Sequence, residues 1–213
     1  MTGSRSRAPQ PADDTLRPTC GSSDPLALVE EDHALQLELC NLLEHIADCL
    51  PERVSAAVAR SAAAILREGF GPHLELEERM LFPLLRRRAD DGSSLEAIMQ
   101  QLEAEHAADE AFGQELADEL ELLGRAGAAR NPEMLGYMLR GFFERQRRHI
   151  EWENRVLLPL ARRTLTQDDL AHFQDWIMGS AGPACTRHSV AMLRRMRSGP
   201  AACGRCASST RLM

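Results

Sequence analysis

His149-Ile150-Glu151-Trp152-Glu153 is an H-x-x-x-E lying well inside a long helical pattern. Residues four apart share a helix face, so His149 and Glu153 point the same way. They stand in line with Met138 and Phe142 before them and Val156 and Leu160 after. The periodicity predicts a core face. A carboxylate on a buried stripe is costly unless something pairs it, and a metal ion would pair it with the imidazole beside it. The grouping recurs as His73-Leu74-Glu75-Leu76-Glu77, flanked at helical spacing by Phe70, Leu81 and Leu84. Each copy runs on into an apolar-proline element, Leu81-Phe82-Pro83 and Leu157-Leu158-Pro159, so the two read as repeated half-sites.

Working outward, Ser23-Asp24-Pro25 offers a helix cap and an early proline. It opens a first helix to about Cys49, which Pro51 stops. Its apolar stripe, Leu26, Val29, Leu37 and Cys40, carries His33 where an apolar residue is due. A second helical pattern runs from Glu52 to about Arg88, and Gly69, Gly71 and Pro72 should bend it just before His73. Ser93 to Glu96 matches a capping box for a third helix to about Leu123, whose stripe of Leu95, Met99, Leu102, Phe112, Leu116 and Leu120 contains His106. Residues 124–130 read as a loop. Asn131-Pro132-Glu133 starts a fourth helix that carries His149 and Glu153 to about Arg163, and Thr166 begins a short fifth that Gly179 ends.

Four amphipathic helices with short connections and no alternating strand pattern predict an all-α, up-down-up-down four-helix bundle with a short extra C-terminal helix. Residues 1–22, rich in Pro, Ser, Thr and Arg, read as a disordered lead-in, 23–178 as the bundle with its fifth helix, and 179–213 as an Arg- and Cys-rich tail. The chain has no run of apolar residues long enough for a membrane span and no signal-peptide order at its start, so the cytoplasm is the expected compartment. Residues 23–178 hold 30 acidic and 16 basic residues, a net of −14. That acidic body argues against nucleic acid as the main partner and is compatible with cation binding.

Each bundle helix thus donates an inward histidine: His33; His73 with Glu77; His106; and His149 with Glu153. Lone histidines on apolar stripes are ordinarily structural, but four in register, two with a carboxylate at i+4, point to metal ligation. Mixed imidazole and carboxylate donors suit iron, manganese or zinc, and two carboxylates able to bridge suit a dinuclear centre. Six donors are too many for one tetrahedral zinc. Two irons bridged by Glu77 and Glu153, each with two of the histidines, would leave positions open for dioxygen, nitric oxide or peroxide. Sequence does not say how the histidines pair.

The order His, H-x-x-x-E, His, H-x-x-x-E over residues 24–163 resembles the hemerythrin-like, or HHE cation-binding, family. The resemblance implies a non-haem di-iron centre with His33, His73, His106 and His149 as iron ligands and Glu77 and Glu153 as bridging carboxylates. Oxygen-carrying hemerythrins have H-x-x-x-H on the third helix, whereas the residue four after His106 is Glu110. A five-histidine centre is therefore unavailable there, and sensing, nitric oxide or peroxide handling, or iron storage and delivery is favoured over reversible oxygen carriage. Glu110 is either an extra ligand or a surface residue. The family resemblance also extends to iron-sulfur-cluster repair proteins, which commonly carry a cysteine-containing N-terminal domain that residues 1–22 are too short to form. Binding or sensing of a small ligand is the lead expectation; an enzyme acting on peroxide or nitric oxide, or a repair protein, is the alternative.

His45, about 120° round the first helix from His33, is expected to be exposed, His172, beside the stripe of Leu170, Phe173, Trp176 and Ile177, to lie on the outer face of the fifth helix, and Cys40 and Cys49 to be small buried hydrophobes. In the tail, Cys185-Thr186-Arg187-His188 and Cys203-Gly204-Arg205-Cys206 give C-x-x-H and C-x-x-C separated by 14 residues. That spacing is compatible with a small zinc site, a thiol redox pair, an inert tail, or a contact for a protein partner. Cys20 has no evident partner.

Overall fold

Asp24 accepts a hydrogen bond from the Leu26 amide at 3.0 Å and so satisfies one of the orphan donors at the start of α1, Pro25–Cys49. In the computed structural model, which describes residues 24–51, 54–88 and 95–179, every regular element is helical, as expected of an all-α bundle. The chain continues through α2, Ala56–Glu68, and the expected break at Gly69 and Phe70 into α3, Gly71–Leu76. A π turn, Glu77–Leu81, leads to α4, Phe82–Arg88. Then come α5, Leu95–Ala126, and α6, Pro132–Trp152, which Asn131 caps by accepting from the Met134 amide at 3.0 Å. A second π turn, Glu153–Leu157, leads to α7, Leu158–Thr164, and α8, Gln167–Gly179, follows.

Side-chain pairings give the directions. Gln36 meets Gln146, and Asp48 meets Arg140, so α1 and α6 run antiparallel; Arg60 meets Gly124, and Arg86 meets Glu103, so the α2–α4 rod and α5 do likewise. The rods form the up-down-up-down bundle. Burial of the apolar stripes drives it, in two clusters. One joins Leu39, Leu43, Ile46, Leu66, Leu116, Leu139 and Phe142, the other Leu26, Val29, Leu81, Phe82, Leu85, Met99, Leu157 and Phe173.

Four sequence expectations need correction. Leu37 is only half-buried, and Gln36, Leu39 and Leu43 carry the α1 stripe past it. The third helix does not stop at Leu123: α5 continues to Ala126, and Gly127, with φ of 75°, ends it. Gly124 is a buried contact where a Cβ would stand 2.7 Å from Arg60 Cγ, so this glycine marks a helix crossing and not a loop. His45 is half-buried, with the Cys49 sulfur 3.8 Å from its Nε2. Val156 is 42 % exposed while Leu157 and Leu158 are buried, because the π turn inserts a residue and rotates the inward face by about 100°. His172 is exposed and Cys40 and Cys49 are buried, as expected.

The fifth helix docks by Phe173 and Ile177 and by one carboxylate. Asp169, 4 % exposed, accepts from the Thr166 amide at 3.0 Å and hydroxyl at 2.8 Å, and from Arg88 at 2.8 Å and Arg87 at 3.3 Å on α4. The Arg88 guanidinium, with the Thr166 donors, holds its carboxyl well below the usual range. A depressed carboxylate contributes stability above its unfolded pKa of about 3.9 and loses it as pH falls through the folded value. We expect Asp169→Asn to cost about 1 kcal/mol at pH 7 and the gap from wild type to shrink below pH 4. Urea denaturation at both pH values checks this; a gap that is constant with pH would deny the carboxylate its role.

Candidate metal centre

Between the two apolar clusters the stripes are interrupted at one level of the bundle. His33 on α1, His73 on α3, His106 on α5 and His149 on α6 all turn inward, 0 to 7 % exposed, with Glu77 and Glu153, which begin the two π turns, at 0 %. The structure therefore brings together all six residues singled out from the sequence. Glu110 is exposed on α5 and stands outside the group.

The imidazoles form two edge-to-face pairs, His33 with His73 at 4.9 Å between ring centres and His106 with His149 at 5.0 Å. Glu153 lies between the pairs: Oε2 is 3.2 Å from His33 Nε2, and Oε1 is 3.0 Å from His149 Nε2 and 3.7 Å from His106 Nε2. Glu77 Oε1 is 3.6 Å from His33 Nε2, and its Oε2 is 3.6 Å from His73 Nε2 and 3.4 Å from His106 Nε2. Two donor sets result, His33, His73, Glu77 and Glu153 in one and His106, His149 and Glu153 in the other, each with its donor atoms within 4.8 Å of one another.

These spacings are informative. Atoms bound to one ion at about 2.0 to 2.2 Å stand about 3 to 3.5 Å apart, close to the 3.0 to 3.7 Å between these donors. Neither carboxylate makes a hydrogen bond through either oxygen, and His33 Nε2 makes none. Among the inward donors the one hydrogen bond joins His106 Nε2 and His149 Nε2 at 3.1 Å. Buried polar atoms are nearly always partnered, so four carboxylate oxygens and His33 Nε2 facing a common region without such a bond fit a cation there. The carboxylates also act on the imidazoles. Burial works against a charged ring, but the approach of Glu153 and then Glu77 outweighs it and raises His33 to about 10. Glu153 likewise raises His149, to about 9, and His106. Burial would push the Glu153 carboxyl up, yet His106, His149 and His33 together hold it well below the ordinary carboxylate value.

The outward ring nitrogens find partners that sequence reading missed. His33 Nδ1 donates to Asn154 Oδ1 at 2.7 Å, His106 Nδ1 to Glu78 Oε1 at 2.9 Å, and His149 Nδ1 to Glu105 Oε2 at 3.0 Å; Asp32 Oδ2 stands 3.8 Å from His73 Nδ1. Such outer bonds fix which nitrogen faces the ion. Each partner is the chain neighbour of a site residue on another rod: Asp32 precedes His33, Glu78 follows Glu77, Glu105 precedes His106 and Asn154 follows Glu153. Polar residues immediately flanking the six were the available signal.

One turn toward the first apolar cluster the interior is polar, with Gln146 Nε2 donating to Gln36 Oε1 at 2.8 Å and Asp109 paired with Arg145. Gln36 Nε2 and Gln146 Oε1 have no hydrogen-bond partner among the described residues. One turn the other way the layer is apolar, with Val29, Leu102 and Leu157.

The fold and this geometry define a metal-binding helical bundle. The chain belongs to the hemerythrin family: its residues 24–161 match the model of the Hemerythrin HHE cation binding domain. Neither the curated proteins nor the solved structures searched contain a match. No helix among the described residues is long and apolar enough to cross a membrane. The tail residues Cys185, His188, Cys203 and Cys206, with Cys20 and Ser93, lie outside the described residues.

The glutamine pair offers a test of this layer. Gln146→Leu leaves a buried amide unpaired and should cost about 1 to 3 kcal/mol, whereas Gln36→Leu with Gln146→Leu should be near neutral or stabilising. Chemical denaturation of both single variants and the double one would show it; an additive loss would mean that the two amides do not support each other.

Proposed function

We propose that the chain is a non-haem di-iron protein whose centre binds or senses a small ligand, dioxygen, nitric oxide or peroxide, or iron itself. The observation that carries this reading is the placement of Glu153, one oxygen toward each histidine pair, which suits a carboxylate bridging two ions better than one serving a single ion. His33 and His73 would hold one iron, His106 and His149 the other, with Glu77 and Glu153 between them. Mixed imidazole and carboxylate donors suit iron, which would supply redox chemistry and open coordination positions for the small ligand. The protein's part is to fix the donors, exclude bulk water and set the ring tautomers through Asn154, Glu78 and Glu105. With Glu110 on the surface, α5 gives one histidine to the site, which favours sensing or redox handling over reversible oxygen carriage.

A second reading, an enzyme acting on peroxide, is favoured by the free amide donor of Gln36 and free carbonyl of Gln146 one turn away, since hydrogen peroxide both accepts and donates. Peroxide turnover lost in the Gln36→Leu/Gln146→Leu protein with its iron retained would place that reading first.

Anaerobically purified protein should carry about two irons per chain and gain a charge-transfer absorption on exposure to air. His149→Ala and Glu153→Ala should lose iron and thermal stability, while Glu110→Ala and Cys203→Ser/Cys206→Ser keep both. Metal analysis and the optical spectrum decide it. Zinc alone, lost with the two cysteines, would move the metal site to the tail and overturn the proposal.

A further inference from the structure

The outer partners divide the centre unevenly. Both rings of the His106–His149 pair donate Nδ1–H to a carboxylate, Glu78 at 2.9 Å and Glu105 at 3.0 Å. In the His33–His73 pair one ring donates to the neutral amide oxygen of Asn154 at 2.7 Å. The other, His73, has Asp32 at 3.8 Å, beyond hydrogen-bond reach, and its Nδ1 has no hydrogen-bond partner among the described residues.

An anion that accepts the outer proton of an imidazole makes the inner nitrogen more basic and adds its own attraction for a cation. A neutral amide orients the ring without adding charge. The inner donors lean the other way by one carboxylate, since Glu77 falls in the His33–His73 donor set, but they are shared more evenly than the outer partners. Glu153 gives one oxygen to each pair, and Glu77 Oε2 is as near His106, at 3.4 Å, as His73, at 3.6 Å. The one oxygen with no counterpart on the other side is Glu77 Oε1, 3.6 Å from His33. Glu78 and Glu105 are 38 % and 37 % exposed, so solvent weakens each charge, but two hydrogen-bonded carboxylates still face one that is not bonded.

We propose, resting on the dinuclear reading above, that the two metal positions are unequal: the His106–His149 position fills first and holds its ion more tightly, and the His33–His73 position is the exchangeable one. Glu78 and Glu105 are the positioning residues of the His106–His149 position, acting through the rings they hold. The exchangeable position is then the one from which an ion is lost first when metal is scarce, and its occupancy reports metal supply while the other ion stays in place.

The test uses the full chain stripped of metal and titrated with zinc against a chromophoric chelator, with the histidine ring nitrogens followed by NMR. Zinc avoids any dependence on redox activity. The expected result is two steps at least tenfold apart, with His106 and His149 resonances moving on the first equivalent. Glu78→Gln with Glu105→Gln keeps an acceptor oxygen at each ring while removing the charge, and should weaken the first step about 10- to 100-fold, bringing it toward the second. Asn154→Asp should do the reverse and tighten the second step alone, an effect that a merely structural asparagine would not give. Melting of the stripped variants within a few degrees of wild type shows that the fold is intact. Equal steps, His33 and His73 moving first, or Glu78→Gln/Glu105→Gln weakening both steps alike would overturn the inference while leaving the dinuclear centre standing. A wild-type chain that takes up no zinc or iron would sink both.

Discussion

Two carboxylates with no solvent exposure, Glu77 and Glu153, lie in the middle of a helical bundle, and the rest of the architecture answers to them. Taking an ionised carboxylate out of water costs several kcal/mol even after relaxation, so each must be compensated at its own position. The compensation comes from four imidazoles, one from each rod, held at 3.0 to 3.7 Å. Sliding any rod by one turn would move its histidine about 5.4 Å and leave a buried charge uncovered. The centre thus fixes the register of all four rods, while the apolar clusters on either side supply the drive to associate without specifying that register as sharply.

The π turns reconcile this centre with the packing below it. Each begins at a site glutamate, and the amides of Phe82 and Leu158 reach back five residues to the Glu77 and Glu153 carbonyls. The extra residue turns Leu157 and Leu158 inward and Val156 out, so the glutamate and the next core residues both face the interior. Pro83 and Pro159 stand six residues after the two glutamates, where a missing amide and the ring bulk oppose a regular α turn. The wider turn accommodates both. Its repetition at the two H-x-x-x-E sites makes the half-sites alike in backbone as well as in side chains.

Much of this was legible in the sequence, because one-residue periodicity over long helices carries the signal. His33 and His106 stand on otherwise apolar stripes, and each i+4 glutamate marks a pair, so the six inner residues follow from spacing alone. Val156 was misplaced because an α period was extended through a π turn, and the proline that betrays the turn lies beyond the misplaced residue. Gly124 was misread because a glycine required by the approach of Arg60 looks, in one dimension, like a glycine required by a turn. The pairing of His33 with His73 and of His106 with His149, and the outer partners, depend on contacts between rods. No helical period encodes those.

The outer partners show how the centre and the bundle are coupled. Asp32 on α1 faces His73 on α3, Glu78 faces His106 on α5, Glu105 on α5 faces His149 on α6, and Asn154 faces His33 on α1, which closes a ring around the bundle. Because each partner adjoins a site residue in the chain, a shift of one rod disturbs its own inward side chain and the ring nitrogen of the next together. Three links of the ring are hydrogen bonds of 2.7 to 3.0 Å, and the fourth, from α1 to α3, is open at 3.8 Å. That open link lies beside the break at Gly69 and Phe70, where α2 gives way to α3. The open link of the ring therefore falls beside a break in the rod that carries it, so a displacement of α3 that carries His73 outward breaks no outer hydrogen bond of its own ring, whereas moving any of the other three histidines does.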